Sequence, residues 1–285
     1  MNSTGFSIRD ATSVDRSRLA NLIHFSPYIH QHLDWKPALD WIGQKPYLLM
    51  EKNEALLAAL ACPPDLPDIT WVRLFAVSSM ADVAEAWNYL WPATLAEIIS
   101  MKKMPILALS LQSWFNQLLE QSEFTYTDNV IVLVWNRTTP LPKPHPTGVT
   151  IQPMMPEDLN TILDIDHAAF GVVWKNSLEA LELAYQQSAF ARVAIVDGEI
   201  VGYQYSTGSA MGGHLARLAV KPSMQGRGIG YELVRDALVH YKQQGAMQVT
   251  VNTQQQNRAS LALYVKAGFN ITGESYRVYQ YAFKE

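Results

Sequence analysis

The sequence predicts an α/β protein, more closely an α+β mixed-sheet architecture, in which one sheet-and-helix unit occurs twice in tandem. Three observations predict it. Apolar runs of strand length alternate with stretches of helical periodicity along the chain. A run of alternating prolines divides the chain almost in half, and features of one half recur in the other at a nearly constant displacement.

With 285 residues, 48% of them hydrophobic, the chain can bury a sizeable core. A prior of about 150 residues per domain suggests two domains. The formal net charge of −4 offers no basic field for phosphate backbones, so nucleic acid is not an expected partner, and a cationic amine is mildly favoured. The single cysteine, Cys62, has no internal disulfide partner and stands before Pro63-Pro64, in what reads as a loop. No basic segment followed by an apolar run opens the chain, and no stretch approaches the ~20 apolar residues of a membrane span. A soluble cytoplasmic protein, monomer or homodimer, without a membrane partner is expected.

The boundary lies at 138–147, where Pro140, Pro142, Pro144 and Pro146 alternate with Leu141, Lys143 and His145. Alternating prolines fix φ and remove amide donors, which predicts an extended, semi-rigid linker between a first domain at 1–137 and a second at 148–285. Ile8-Arg9-Asp10 with Asp15, ahead of a helical pattern, matches Ile151-Gln152-Pro153 with Asp158. Tyr47-Leu48-Leu49-Met50 and its polar turn at 52–54 match 192–195 and Asp197-Gly198-Glu199. Val72-Arg73-Leu74-Phe75-Ala76-Val77 matches Leu215-Ala216-Arg217-Leu218-Ala219-Val220, and Phe124 matches Phe269. Every displacement falls between 143 and 145 residues.

Each half reads as strand, one or two helices, hairpin, long strand, helix, strand, helix and a closing strand pair. In the second half, Asp197-Gly198 is a hairpin signal. Residues 215–220 read as a buried strand. Leu233, Val234, Ala237, Leu238 and Tyr241 recur at helical spacing before Gly245, and 247–251 is the next strand. Asn257 and Gly268 suit the two ends of a last helix, and 271–283 supplies the closing strands.

Between the strand at 215–220 and the helix that follows lies Gln225-Gly226-Arg227-Gly228-Ile229-Gly230. Glycines at alternate positions let the backbone turn sharply and aim successive N–H groups at one ligand. With the free amides and positive dipole end of the next helix they make a phosphate or pyrophosphate site, to which Arg227 can add a charge. A dinucleotide fingerprint fails because Tyr231 stands where its last glycine belongs, and a P-loop fails for want of Gly-Lys-Ser/Thr.

Gln225, Gly228 and Gly230 form Q-x-x-G-x-G, which resembles the acetyl-CoA loop of the GNAT superfamily of N-acetyltransferases. Upstream, Arg217-Leu218-Ala219-Val220-Lys221-Pro222 looks like the family's central strand and its exit. Downstream, Asn257-x-x-Ser260-x-x-x-Tyr264-x-x-x-Gly268-Phe269 looks like its second cofactor helix. The resemblance covers roughly 147–285. It implies acetyl-CoA as cofactor, held by Leu218, Ala219, Val220, Gln225, Gly226, Arg227, Gly228, Ile229, Gly230, Asn257, Ser260 and Tyr264, and it calls for no metal.

By the same resemblance the strand at 218–220 leaves backbone groups free for the pantetheine arm, and Tyr264 is the general acid toward the departing thiolate. Tyr264 lies seven residues from Asn257, about 10 Å along a helix. An amine acceptor must lose a proton before attack. His214, at the start of the central strand, Glu199 in the hairpin, or a water relay through either is the candidate base. Phe170, Trp174, Tyr276 and Tyr279 are candidates for the acceptor pocket, since aromatic walls suit cations and apolar stems. The first half offers Ser78-Ser79-Met80-Ala81-Asp82-Val83 in place of the loop, and Leu119 near the place of Tyr264. It resembles a GNAT unit that has lost the cofactor. The expected function is transfer of acetyl to a primary amine, a small molecule by preference, in a ternary complex. A peptide or protein amine, and a non-catalytic CoA-binding sensor or interaction module, are the alternatives.

Overall fold

The computed structural model describes residues 5–146, 148–209 and 212–283. Its first elements are β1 (Ser7–Asp10), α1 (Arg16–Phe25), β2 (Tyr28–Gln31), β3 (Tyr47–Lys52), β4 (Ala55–Ala61), β5 (Thr70–Trp71), β6 (Leu74–Val77), α2 (Val83–Met101), β7 (Ile106–Ser110), α3 (Ser113–Gln121) and β8 (Phe124–Asn136). There follow β9 (Thr150–Pro153), α4 (Leu159–Ala169), α5 (Leu178–Gln187), β10 (Phe190–Val196), β11 (Glu199–Gly208), β12 (Gly212–Val220), α6 (Ile229–Gln243), β13 (Gln248–Gln254), α7 (Arg258–Lys266) and β14 (Asn270–Tyr281). Two compact units result: Met1–Thr127 with Tyr276–Glu285, and Asp128–Ser275.

In the first unit, β1, β3, β4, β6 and β2 form an antiparallel sheet in that order. Asn53 and Glu54, at φ 49 and 65, make the tight turn between β3 and β4 that matches the twist of the paired strands. Helix α2 buries Trp87, Leu90, Trp91 and Ile98 in one core with Leu48, Met50, Leu60 and Phe75. Cys62 is buried in the same core, where desolvation pushes its thiol up from its ordinary value.

The units differ from the expected division at 138–147. Residues 277–280 of β14 pair with 107–110 of β7, so the end of the chain closes the first unit. Conversely, 130–136 of β8 pair with β13 and belong to the second. The predicted closing pair at 271–283 is thus a single strand. The proline segment also lies in the second unit: Leu141 packs on its core, and the His145 amide donates to Glu232 Oε1 at 2.6 Å.

In the second unit β9, β10, β11 and β12 are antiparallel neighbours and β13 joins β12 in parallel. Asp197 and Gly198, at φ 51 and 83, make the predicted hairpin turn. Helix α6 packs Val234, Ala237, Leu238 and Tyr241 against Leu215, Val249 and Val251. It ends at Gly245, φ 85, where the Ala246 amide reaches back to the Tyr241 carbonyl. Helix α7 starts with the Asn257 side chain accepting from the Ser260 amide at 3.1 Å and ends in the same way at Gly268, φ 96. Helix α4 packs on β11 and β12 through Asp166, whose carboxylate accepts from Tyr203 and Arg217. Tyr203 and Arg217 therefore mark the face of the sheet opposite α6.

Candidate active site

Strand β12 changes partners along its length. Its parallel pairing with β13 runs from Gly212↔Gln248 to Leu215↔Val251 and stops there, while its pairing with β11 continues to Gly202↔Val220. At the parting point the register with β11 shifts, Ser206 facing Leu215 and Tyr205 facing Arg217, so Ala216 is the extra residue of a bulge. Bulges bend a strand and increase its twist, which accounts for β12 leaving β13. Beyond Leu215, the edge of β12 turned away from β11 has no strand partner among the described residues. Leu218, Ala219 and Val220 lie on this edge.

The glycine loop follows at once. Gly226 and Gly228 have φ 75 and 81, the left-handed region that side chains with a Cβ disfavour, and Gly228 is the cap residue of α6. Gly230 packs against Leu218, Val220 and Leu263, where an added Cβ would meet Leu263 Cδ2 at 3.3 Å. The Gln225 side chain turns inward and donates from Nε2 to the Val220 carbonyl at 3.1 Å, tying the loop to the strand end. Arg227 is exposed and Ile229 is buried in the core under α6. Among the described residues no acceptor is found for the amides from Gly226 to Tyr231, and the first helical bond is Glu232 N–H to the Gly228 carbonyl. Free amides, a helix start without a side-chain cap and an exposed arginine fit a pyrophosphate.

Tyr264 and His214 flank the parting point from opposite faces. Tyr264 is buried on α7 with Val251 and Leu215, its ring 5.7 Å from Phe269, and burial raises its hydroxyl above the ordinary tyrosine value. Because side chains alternate along a strand, His214 and Thr250 point to the other face. His214 Nδ1 lies 2.9 Å from Thr250 Oγ1, and desolvation lowers the imidazole below its usual value, which favours the neutral ring. Ser260, half-buried, and Asn257 stand at the start of α7.

On the His214 face the connection from α4 to α5 carries Phe170 and Trp174, both half-buried. Beneath it lies a polar network that the sequence reading passed over. Asp166 is 0% exposed; its Oδ2 accepts from Tyr203 at 2.5 Å and from Arg217 Nε at 2.6 Å. Its Oδ1 accepts from the Asn176 amide at 3.0 Å, and Arg217 also donates to the Trp174 carbonyl at 2.6 Å with its guanidinium 3.7 Å from the Phe170 ring. Burial opposes the charge of Arg217, but Tyr203, Tyr205 and Asp166 around it keep its pKa above the usual value. The signal was present in the sequence: an aspartate directly after Ile165 in the apolar stripe of α4, and an arginine inside an apolar strand. Charges in such places are paired when buried.

Three expected residues remain. Glu199, a candidate base, is 77% exposed at the hairpin and paired with Lys221 at 3.7 Å. Tyr276 and Tyr279, expected in the acceptor pocket, belong to the first unit. The Tyr279 hydroxyl donates to Glu120 Oε1 at 2.6 Å, and its ring is fully buried there. In that unit 277–280 of β14 pair with 107–110 of β7.

Residues 159–269 match the model of the Acetyltransferase (GNAT) family. Over 114 residues the chain is 32% identical to the peptidyl-lysine N-acetyltransferase YjaB of Salmonella typhimurium, covering 40% of this chain and 72% of that protein. It resembles the structure of a GCN5-related N-acetyltransferase from Sphaerobacter thermophilus, with a TM-score of 0.65, 18% identity and coverage of 97% and 95% of the two chains. It also resembles a tandem GNAT protein from the clavulanic acid biosynthesis pathway, with a TM-score of 0.66, 13% identity and coverage of 98% and 99%. The chain belongs to the GNAT family of acetyltransferases and is an acyltransferase of tandem architecture. The family generally uses acetyl-CoA. Among the described residues no helix is long and apolar enough to cross a membrane.

Proposed function

We propose that the second unit transfers the acetyl group of acetyl-CoA to a primary amine carried by a small molecule, by direct attack within a ternary complex. The observation that carries this reading is the parting of β12 from β13 beside a helix start whose amides are unpartnered. The amides from 226 to 231 and Arg227 would hold the pyrophosphate. The open edge at 218–220 offers N–H and C=O groups to an amide-rich arm, and one such N–H can polarise a carbonyl. Asn257 and Ser260 stand at the start of α7, and Tyr264 further along it.

Acetyl-CoA supplies a thioester whose acyl carbon accepts the amine nitrogen, the C–N bond forming as the C–S bond breaks. His214 takes the proton that an ammonium acceptor must shed; a ring held neutral by burial has a free lone pair for it. Tyr264 offers its hydroxyl proton to the departing sulfur, and its raised pKa keeps that proton in place at neutral pH. Phe170 and Trp174 supply aromatic surface on the His214 face, suited to an amine on a short apolar stem.

A second reading, a lysine side chain in a peptide, is favoured by the relative named a peptidyl-lysine N-acetyltransferase. Free-thiol release from acetyl-CoA, measured against small amines and lysine peptides side by side, tests both. Release with small amines and little with peptides is expected. The reverse order moves the assignment to peptides, and no release with any acceptor, while CoA still binds, points to a CoA-binding sensor.

A further inference from the structure

Resting on that reading, we infer that Asp166 and Arg217 are positioning residues that hold the 170–176 segment as the wall of the acceptor site. Two hydrogen bonds and one ring contact converge on this segment from fixed elements. Asp166 on α4 accepts from the Asn176 amide, Arg217 on β12 donates to the Trp174 carbonyl, and the same guanidinium lies 3.7 Å from the Phe170 ring. Asn176 is gripped twice more: its Nδ2 donates to the Tyr205 hydroxyl at 3.1 Å, and its carbonyl lies 2.8 Å from His167 Nε2. A connection without regular strand or long helix of its own is thereby fastened at 170, 174 and 176.

The cost of this arrangement argues for its use. A carboxylate at 0% exposure and a guanidinium at 14% lose most of their hydration, and an apolar pair of similar volume would serve packing as well or better. What ions contribute here is direction: each of the two hydrogen bonds fixes the position of one backbone group of the segment. Arg217 also follows the bulge at Ala216 directly, so the residue that bends β12 open toward the cofactor slot is next to the one that grips the acceptor wall. The two halves of the site are thus registered on one strand.

The test compares Asp166→Asn, Arg217→Gln, Arg217→Lys and Phe170→Leu with the native enzyme by three measurements. These are hydrogen exchange of the 171–176 amides, CoA affinity by calorimetry, and the KM of spermidine and of a lysine-containing peptide in thiol release. Expected are exchange at 171–176 at least about tenfold faster and acceptor KM raised about tenfold or more, with CoA affinity within about twofold and kcat changing less than KM. Arg217→Lys should recover part of the KM. Phe170→Leu, which leaves no buried charge unpaired, should show a smaller effect in the same direction if Asp166→Asn does not fold. Unchanged exchange overturns the inference, as does faster exchange with unchanged KM, or a parallel loss of CoA affinity that marks general loosening. Failure of the native enzyme to release thiol with either probe defeats the proposed reaction instead, and exchange then decides the clamp alone.

Discussion

The two units carry the same junction of central strand and following helix in opposite states. In the second unit α6 begins at left-handed Gly228 with no side-chain cap, and β12 turns a bare edge toward the gap left by β13. In the first unit α2 begins at Asp82, whose Oδ1 accepts from the Glu85 amide at 2.8 Å. The flank of β6 opposite β4 is taken by β2, from Tyr28↔Val77 to Gln31↔Leu74. Leu119, wholly buried on α3, stands where α7 has Tyr264. Backbone groups in both units demand partners. The first unit supplies them from its own chain, and the second leaves them for a ligand. The same junction can therefore be filled by the chain's own groups with the fold intact around it.

The sharpest way to break this comparison is to count and then remove the open site. Calorimetry on the native chain should give one CoA bound per chain; two would mean that the first unit's slot opens. Gly228→Val places a β-branched residue at φ 81, which only glycine adopts readily, and turns the amides away from their target. CoA affinity should fall by about a hundredfold or more, since several charge-assisted bonds of roughly 1.5–3 kcal/mol each depend on that turn. Next in size is Tyr264→Phe, which removes the proton donor but keeps the ring. It should lower kcat by about 10²-fold with CoA affinity nearly unchanged. An unaltered kcat would remove Tyr264 from the chemistry.

Much of this was legible in the sequence because it is local. The hairpin at Asp197-Gly198, the caps at Asn257 and Gly268, the stripe of α6 and the glycine turn each depend on residues a few positions apart. Long-range pairing was not legible. Strand β2 has an unremarkable four-residue pattern, and what makes it a strand is the free flank of β6. Likewise 277–280 read as a closing strand, but nothing in their alternation names β7 as the partner. The Asp166–Arg217 pair was missed because nothing in the neighbourhood of either residue names the other as its partner. Its burial depends on an element fifty-one residues away.

The filling of the first unit also leaves a mark on pH dependence. His30, on β2, is buried with Nε2 3.0 Å from the Val72 carbonyl and its ring stacked on Phe115 at 4.1 Å. Desolvation lowers its pKa to about 4, and His32 is pushed well below its ordinary value by burial and by Arg73. A folded pKa below the unfolded one means that the unfolded chain takes up protons first as pH falls. Stability is therefore constant above about pH 6.5 and declines below it, by about 1.4 kcal/mol per pH unit for His30 alone down to its folded pKa. Urea unfolding at pH 7 and pH 5 should differ by about 2 kcal/mol or more. His30→Gln should reduce that difference by roughly 2 kcal/mol, leaving the share of His32; an equal slope in the variant would show that β2 is not an acid-sensitive element.

The smallest effect belongs to the cap that seals α2, and it separates filling from mere divergence. Asp82→Ala removes the acceptor for the Glu85 amide at an exposed helix start, where water can replace it. The cost should be about 1 kcal/mol, a drop of roughly 2–4 °C in the midpoint of the unit concerned. The freed amides of α2 do not thereby become a second cofactor site, because β2 still occupies the flank of β6 and no left-handed glycine turn precedes the helix. CoA stoichiometry in Asp82→Ala should stay at one. A rise toward two would mean that the carboxylate alone had closed the first unit, and that β2 can be displaced by an incoming ligand. A stoichiometry of one with a lowered midpoint would show that cap and strand close the slot independently.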